Sequence, residues 1–235
     1  MEVCEANFHC QRCAEASEWG LTMHRLSKEK MHNIYLFLSA VLIMYGVILG
    51  LTGGGQIHLL PGMAGSGGIH FRALKTFTYQ SNILLVIGFL VMLALKNNPL
   101  RHYISVTVML SATVTGLVYN FLLVPFAQAP MFFSGYVNFS THVLVTALAL
   151  INYFVFESKG FLRRRHILAG MIFPGVYWAV FVAIGERINF FPYFFMNPND
   201  VGWVMVFVWF VALLAVFAGL GGLLLVYDKG RGQGF

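Results

Sequence analysis

The residues best suited to chemistry in this chain are a threonine and a histidine at the same end of two apolar segments. Thr78 belongs to the polar stretch 76–82, which opens directly into an apolar run ending at Leu95. His142 lies near the start of the apolar segment 139–156. A hydroxyl and an imidazole that meet are the minimum for a nucleophile with a general base. Threonine is inert at neutral pH until such a base accepts its proton.

Each of the two residues also has a purely structural explanation. Threonine in a membrane helix often bonds the carbonyl oxygen one turn back, and a buried imidazole often joins two helices through a hydrogen bond. Thr76 lies two residues before Thr78, so the sequence leaves open which hydroxyl would act. The distance from each hydroxyl to the His142 ring distinguishes these alternatives.

Other polar side chains are expected at the same depth as Thr78. Ser81 and Asn82 follow it at helical spacing and share its face. Tyr119 and Asn120 lie in the outer half of the third apolar segment. Because an unsatisfied polar group in hydrocarbon costs several kcal/mol, we predict a shared chamber, in which Asn82, Asn120 or Tyr119 would stabilise an oxyanion. The inner halves of the segments are expected to be almost purely apolar and to hold acyl chains.

The composition indicates that the apolar segments cross a membrane. The 235 residues are 58% hydrophobic and 10% charged, whereas about a quarter of residues are charged in soluble domains. Each of six apolar runs comes close to the ~20 residues needed to cross ~30 Å of hydrocarbon. The runs cover roughly residues 33–52, 78–95, 103–125, 139–156, 167–185 and 201–227. We predict an all-α polytopic membrane protein with six transmembrane helices in one bundle.

The distribution of Lys and Arg predicts the orientation. Twelve of the fifteen lie on the side of the two termini, and only Arg72, Lys75 and Arg187 lie on the other. This bias predicts a cell-membrane protein with both termini in the cytoplasm. It also explains the net charge of +6 without a nucleic-acid partner. The predicted division is a polar N-terminal tail without regular structure at 1–32, a transmembrane domain at 33–227 and a C-terminal tail at 228–235.

Motifs of several other enzyme classes are absent from the sequence. There is no Gly-x-Ser-x-Gly elbow, no His-Glu-x-x-His helix and no phosphate-binding glycine loop. Cys4, His9, Cys10 and Cys13 match no familiar metal spacing, so no metal or other cofactor is expected. Three alternatives to an enzyme stay open. They are a lipid or small-molecule binder, a proton-linked transporter that uses His142, and a purely structural membrane protein.

Five short motifs occur in the order found in one membrane family. They are Thr76–Asn82, Thr115–Asn120, His142, Tyr177 and Phe191–Phe195. On these motifs, and over roughly residues 33–227, the chain resembles bacterial six-span relatives of the androgen-induced and androgen-dependent TFPI-regulating proteins.

The resemblance implies a helical-bundle hydrolase with a threonine nucleophile and a histidine. Animal members cleave the ester of fatty acid esters of hydroxy fatty acids, which implies a lipid-like ester substrate and a membrane-lipid environment. Thr78 matches the family threonine, and His142 matches the family histidine. Tyr177 and Tyr193 belong to the resembling motifs, and with Ser81 they are assigned to oxyanion or substrate binding.

Overall fold

The computed structural model describes residues 2–52, 72–95, 98–126 and 135–232, with only the backbone described for residues 2–26. Within these ranges the chain forms helices and turns but no strand. Six helices are long and apolar enough to cross a membrane, which confirms the predicted helical class and number of spans and indicates a multi-pass membrane protein. The helices are α1 (Glu2–Leu51), α2 (Phe77–Ala94), α3 (Leu100–Leu123), α4 (Tyr136–Phe156), α5 (Arg164–Ile184) and α6 (Trp203–Gly232).

Helix α1 departs from the sequence-based expectation at its N-terminal end. It begins at Glu2 and runs for 50 residues, so the expectation of a tail without regular structure is wrong. The part apolar enough to span a membrane is Ser27–Leu51. The cysteine and histidine side chains considered for a metal site precede this part and lie outside the described side chains.

Helix α3 lies at the centre of the bundle. It packs against α2, α4, α5 and α6, and 56% of its most apolar window is buried, compared with 17% for α6. The outward faces also carry large apolar side chains, such as Phe37 of α1 and Phe207 of α6. An apolar exterior around a packed interior suits a chain whose solvent is lipid.

The end of the bundle opposite Thr78 is more polar inside than the sequence indicated. Asn152 of α4 is fully buried. Its Oδ1 lies 2.9 Å from His32 Nε2, and its Nδ2 donates to Ser105 Oγ at 3.2 Å. The expectation of almost purely apolar inner halves is therefore wrong. These polar side chains satisfy one another across α1, α3 and α4, which makes their burial tolerable.

Asp228 fastens the C-terminal part of α6 to the rest of the bundle. The predicted C-terminal tail begins at residue 228, yet Asp228 is only 1% exposed. Its Oδ2 accepts the N–H groups of Gly160 and Leu162 at 2.9 and 2.8 Å, and its Oδ1 accepts the Tyr153 hydroxyl at 3.0 Å. Three hydrogen bonds to one buried carboxylate therefore hold the C-terminal end of α6, a helix that otherwise has few buried residues.

Candidate active site

The structure distinguishes the two threonines near the start of α2. The Thr76 hydroxyl caps the helix, since it accepts the Tyr79 N–H at 3.5 Å and donates to the Ala73 carbonyl at 2.8 Å. The Thr78 hydroxyl lies 3.4 Å from His142 Nε2. Both Thr78 and His142 are buried, at 8% and 3% exposure. Catalytic hydrogen bonds are often this long before a substrate is bound.

Thr78 also differs from other threonines of the spans in how its hydroxyl is bonded. Several others donate to the carbonyl four residues earlier, namely Thr113, Thr115, Thr141 and Thr146. For Thr78 that carbonyl would belong to Leu74, which precedes the helix and accepts from Gln80 Nε2 at 3.1 Å. Because Thr78 lies in the first turn, its hydroxyl has no helical carbonyl behind it and bonds to the imidazole instead.

The hydrogen bonds around His142 show which ring nitrogen carries the proton. Nδ1 lies 3.2 Å from the Asn138 carbonyl oxygen and 3.0 Å from Thr141 Oγ1. The Thr141 hydroxyl donates its own proton to the Val137 carbonyl at 2.7 Å, so both neighbours of Nδ1 act as acceptors. This assigns the hydrogen to Nδ1 and leaves the Nε2 lone pair facing Thr78, which is the tautomer that a general base requires.

The sequence did not show what orients His142. In the structure the orienting groups are a backbone carbonyl and the neighbouring Thr141 hydroxyl. The carbonyl belongs to Asn138, one turn before His142. The sequence shows polar residues at 138 and 141, close to His142. It does not show a contact to a backbone carbonyl, because every residue type has one.

The His142 and Tyr119 rings lie in two π-helical turns that face each other. These turns are Phe139–Leu144 within α4 and Tyr119–Leu123 within α3. The rings are stacked, with centroids 3.5 Å apart and 23° between their planes. A π-helical turn inserts one extra residue and so redirects side chains, and such turns are frequent at functional sites. The stack holds the plane of the imidazole and covers one of its faces.

Gly116 allows α3 to approach the turn that carries His142. A Cβ at this position would lie 2.9 Å from the His142 carbonyl oxygen and 2.7 Å from Thr146 Oγ1. The two helices therefore meet almost backbone to backbone, as small residues permit in membrane proteins.

Replacing Gly116 by alanine is expected to destabilise the protein by about 1–3 kcal/mol, because the added methyl group must displace a carbonyl of α4. Gly175 in α5 is the matched control, since a Cβ there meets no atom within 4 Å. Gly175→Ala should leave stability unchanged or raise it by up to about 1 kcal/mol through helix propensity. Thermal unfolding in detergent measures both variants, and equal shifts would contradict the close approach.

A cavity of about 50 Å³ lies beside Thr78, between α2, α3, α5 and α6. Among the predicted site residues, those that line it are Thr78, Tyr119, Tyr177 and Tyr193. The remaining lining is mainly apolar and includes Pro174, Trp178, Phe210, Leu213 and Phe217. His142 is not part of the lining, whereas Thr78, whose hydroxyl lies 3.4 Å from the His142 ring, is. A space of this size holds a few water molecules or a short acyl group.

Tyr193 reaches Thr78 from the segment between α5 and α6. Its hydroxyl oxygen accepts the N–H of Phe77, the residue before Thr78, at 3.1 Å. Burial raises the pKa of Tyr193, so its hydroxyl keeps its proton at neutral pH. The Tyr177 hydroxyl donates to the Lys75 carbonyl at 3.0 Å and thereby holds the turn before α2.

Ser81, Asn82 and Asn120 lie nearby but make bonds between or within helices. Ser81 Oγ lies 2.9 Å from Thr115 Oγ1, which joins α2 to α3. Asn82 Nδ2 donates to the Thr141 carbonyl at 3.3 Å, which joins α2 to α4, and Asn120 Nδ2 donates to the carbonyl one turn back at 2.7 Å. The Oδ1 atoms of both amides are buried and accept no bond within the described part of the chain. These three residues therefore help to position the helices that carry Thr78 and His142.

Comparisons with family models, curated proteins and solved structures find no match to this chain. In the parts of the chain that the structure describes, no group of three or more His, Cys, Asp and Glu side chains is placed to hold a metal ion. The function must therefore be inferred from the chemistry of the site itself.

Proposed function

We propose that this protein is an intramembrane hydrolase that cleaves lipid-like carboxylic esters, such as fatty acid esters of hydroxy fatty acids. The observation that carries the proposal is the 3.4 Å contact between Thr78 Oγ1 and the unprotonated Nε2 of His142 beside an apolar cavity. The proposal includes kinship with the androgen-induced and androgen-dependent TFPI-regulating proteins, which rests on the order of the five motifs.

In the proposed reaction, Thr78 Oγ attacks the ester carbonyl carbon while its proton moves to His142 Nε2. The bond between the acyl carbon and the alcohol oxygen then breaks, and His142 returns the proton to the leaving alkoxide. An acyl-threonine ester remains. Water attacks this ester with the same nitrogen as base, which releases the carboxylic acid and restores the Thr78 hydroxyl.

Tyr193 is the donor best placed to stabilise the oxyanion. Its oxygen accepts the Phe77 N–H, and a protonated phenol can in addition donate to a neighbouring oxygen. It lines the cavity together with Thr78, and a preorganised donor near the developing charge lowers the barrier most in a site that excludes water. Asn82 and Asn120, predicted for this role, donate to backbone carbonyls instead.

The lining of the cavity supports an apolar substrate. The side chains from α5 and α6 are aliphatic or aromatic, and each buried CH₂ of an acyl chain contributes about 0.8 kcal/mol. A long chain exceeds about 50 Å³, so its entry requires a helix to move. Helix α6 is the least buried of the six, and we expect it to move outward to admit substrate from the lipid.

The proposal places the protein in the cell membrane with both termini in the cytoplasm. The excess of Lys and Arg on the side of the termini supports this orientation. Thr78 and His142 would then lie near the external face, where water can enter to complete the reaction. No protein or nucleic-acid partner is required.

Labelling with a fluorophosphonate tests the assignment of the nucleophile. The wild-type protein should be labelled, because the nucleophilic oxygen displaces fluoride from phosphorus, and Thr78→Ala should not be labelled. Thr113→Ala is the matched control, since its hydroxyl bonds the Met109 carbonyl at 2.8 Å and is no part of the proposed site. Equal labelling of wild type and Thr78→Ala would remove Thr78 from this role.

The apolar cavity by itself also suits a lipid-binding protein without turnover, or a transporter that uses His142. Ester hydrolysis by purified protein in detergent, where no gradient exists, separates the hydrolase from both. Binding of an ester without release of acid would favour the binding protein.

A further inference from the structure

A second and larger cavity lies at the opposite end of the bundle. Its volume is about 750 Å³, within the range of about 300–1,000 Å³ typical of small-molecule sites. It lies between the start of the apolar part of α1, the start of α3 and the segment that follows α4. Its lining includes Lys28, Glu29, His32, Arg101, His102, Glu157 and Phe161.

Arg101 is held rigidly at the wall of this cavity. Its Nε donates to Glu157 Oε1 at 3.3 Å, its Nη1 to the Met92 carbonyl at 3.0 Å and its Nη2 to His32 Nδ1 at 2.9 Å. Its side chain is 13% exposed. These bonds use three of the five N–H groups of a guanidinium. The other two have no acceptor among the described residues, which leaves them for a ligand oxygen at a group that is already oriented.

His32 contributes no charge to this arrangement. The Asn152 side chain donates through Nδ2 to Ser105, so its Oδ1 accepts from His32 Nε2 at 2.9 Å. His32 Nε2 therefore carries the hydrogen, and Nδ1 accepts from Arg101. A neutral histidine positions the guanidinium without repelling it.

The charges at this end of the bundle favour an anion. Lys28 and Arg101 line the cavity together with the carboxylates of Glu29 and Glu157. The Glu157 carboxylate is engaged by Arg101 and lies 3.7 Å from His102 Nδ1. Among the side chains that the structure describes, further cations at this end of the bundle are Lys30, Lys159, Arg163, Arg164, Arg165, Lys229 and Arg231, whereas the one further carboxylate there is Asp228. The summed field at this end is therefore positive.

We propose that this cavity binds a phosphate group, carried by a lipid headgroup or present as free phosphate. Guanidinium geometry matches phosphate oxygens, and basic pockets between membrane helices bind anionic headgroups. The cavity lies where three spans begin or end, at the height of lipid headgroups, and the Phe161 ring stacked on His102 at 5.3 Å adds an apolar wall. This site is independent of the proposed ester chemistry.

Binding is measured on the full-length purified protein. Native mass spectrometry with phosphatidic acid, and with phosphatidylcholine as the neutral-lipid comparison, tests the headgroup. Calorimetry with inorganic phosphate in detergent tests the free anion. Lys28→Gln should weaken phosphate binding about fivefold. Lys30→Gln is the matched control, because Lys30 lies two residues along the same helix, about 200° around its axis, and does not line the cavity.

The double variant Arg101→Gln with Glu157→Gln should weaken binding about tenfold or more, since it removes the guanidinium without leaving an unpaired buried carboxylate. Equal loss of affinity in Lys28→Gln and Lys30→Gln, or no binding of either phosphate probe to wild type, would overturn the proposal. If only inorganic phosphate binds, with the same dependence on Lys28, the site is confirmed and its ligand is free phosphate. If phosphatidic acid alone binds in this way, the ligand is the headgroup.

Discussion

Replacing His142 by glutamine is expected to lower the kcat of ester hydrolysis by about 10²- to 10⁴-fold, the contribution of a general base. Glutamine keeps a polar side chain in the buried site, but it cannot accept the Thr78 proton at neutral pH. The KM should change much less, because His142 is not part of the cavity lining. Hydrolysis of a p-nitrophenyl acyl ester by purified protein in detergent measures both constants.

His166 provides the control for this substitution. It is a comparably buried histidine, at 4% exposure, and its Nδ1 accepts the Arg163 N–H at 3.0 Å at the start of α5. His166→Gln should keep the wild-type kcat, because the residue lies at the other end of the bundle. A folded His142→Gln protein with wild-type kcat, as judged by thermal unfolding, would remove the imidazole from the mechanism.

Replacing Tyr193 by phenylalanine is expected to lower kcat by about 10²- to 10³-fold, the usual loss for one oxyanion donor. The same change leaves the Phe77 N–H without the acceptor it has at 3.1 Å, which should lower the free energy of unfolding by about 1–3 kcal/mol. Ester kinetics measure the first effect, and thermal or denaturant unfolding measures the second.

Tyr153→Phe separates these two effects. Tyr153 is also a buried tyrosine, at 3% exposure, and its hydroxyl donates to Asp228 at 3.0 Å. Its loss should lower stability to a similar degree with no change in kcat, because this bond lies at the far end of the bundle. If Tyr153→Phe and Tyr193→Phe reduce kcat equally, Tyr193 has a structural role only.

The sequence does not decide whether the Thr76 or the Thr78 hydroxyl contacts His142. The two hydroxyls lie two residues apart in one polar stretch, and residue type does not separate them. Helix α2 starts at Phe77, between the two threonines. Thr76 is therefore the N-cap, and Thr78 lies in the first turn, where no helical carbonyl precedes it. A helix boundary is uncertain by one or two residues from sequence. Thr76 and Thr78 are two residues apart, so this uncertainty is large enough to leave the proposed nucleophile undecided.

The polar groups at the other end of the bundle were missed for a different reason. Asn152 and Asp228 stand next to apolar runs, and each looks like a residue at the edge of a span. Their burial follows from partners more than 60 residues away along the chain, such as His32 for Asn152 and Leu162 for Asp228. No local pattern contains such pairings.

The sequence alone determined the six apolar helices and the helix ends near which Thr78 and His142 lie, because hydrophobic length and the cost of burying polar groups act locally along each helix. The tertiary structure alone decided which hydroxyl faces the imidazole, which nitrogen carries the proton and which backbone group the Tyr193 hydroxyl bonds. Those outcomes depend on how each helix is rotated and how closely α2, α3 and α4 approach. Packing at contacts such as Gly116 against the His142 carbonyl sets both quantities.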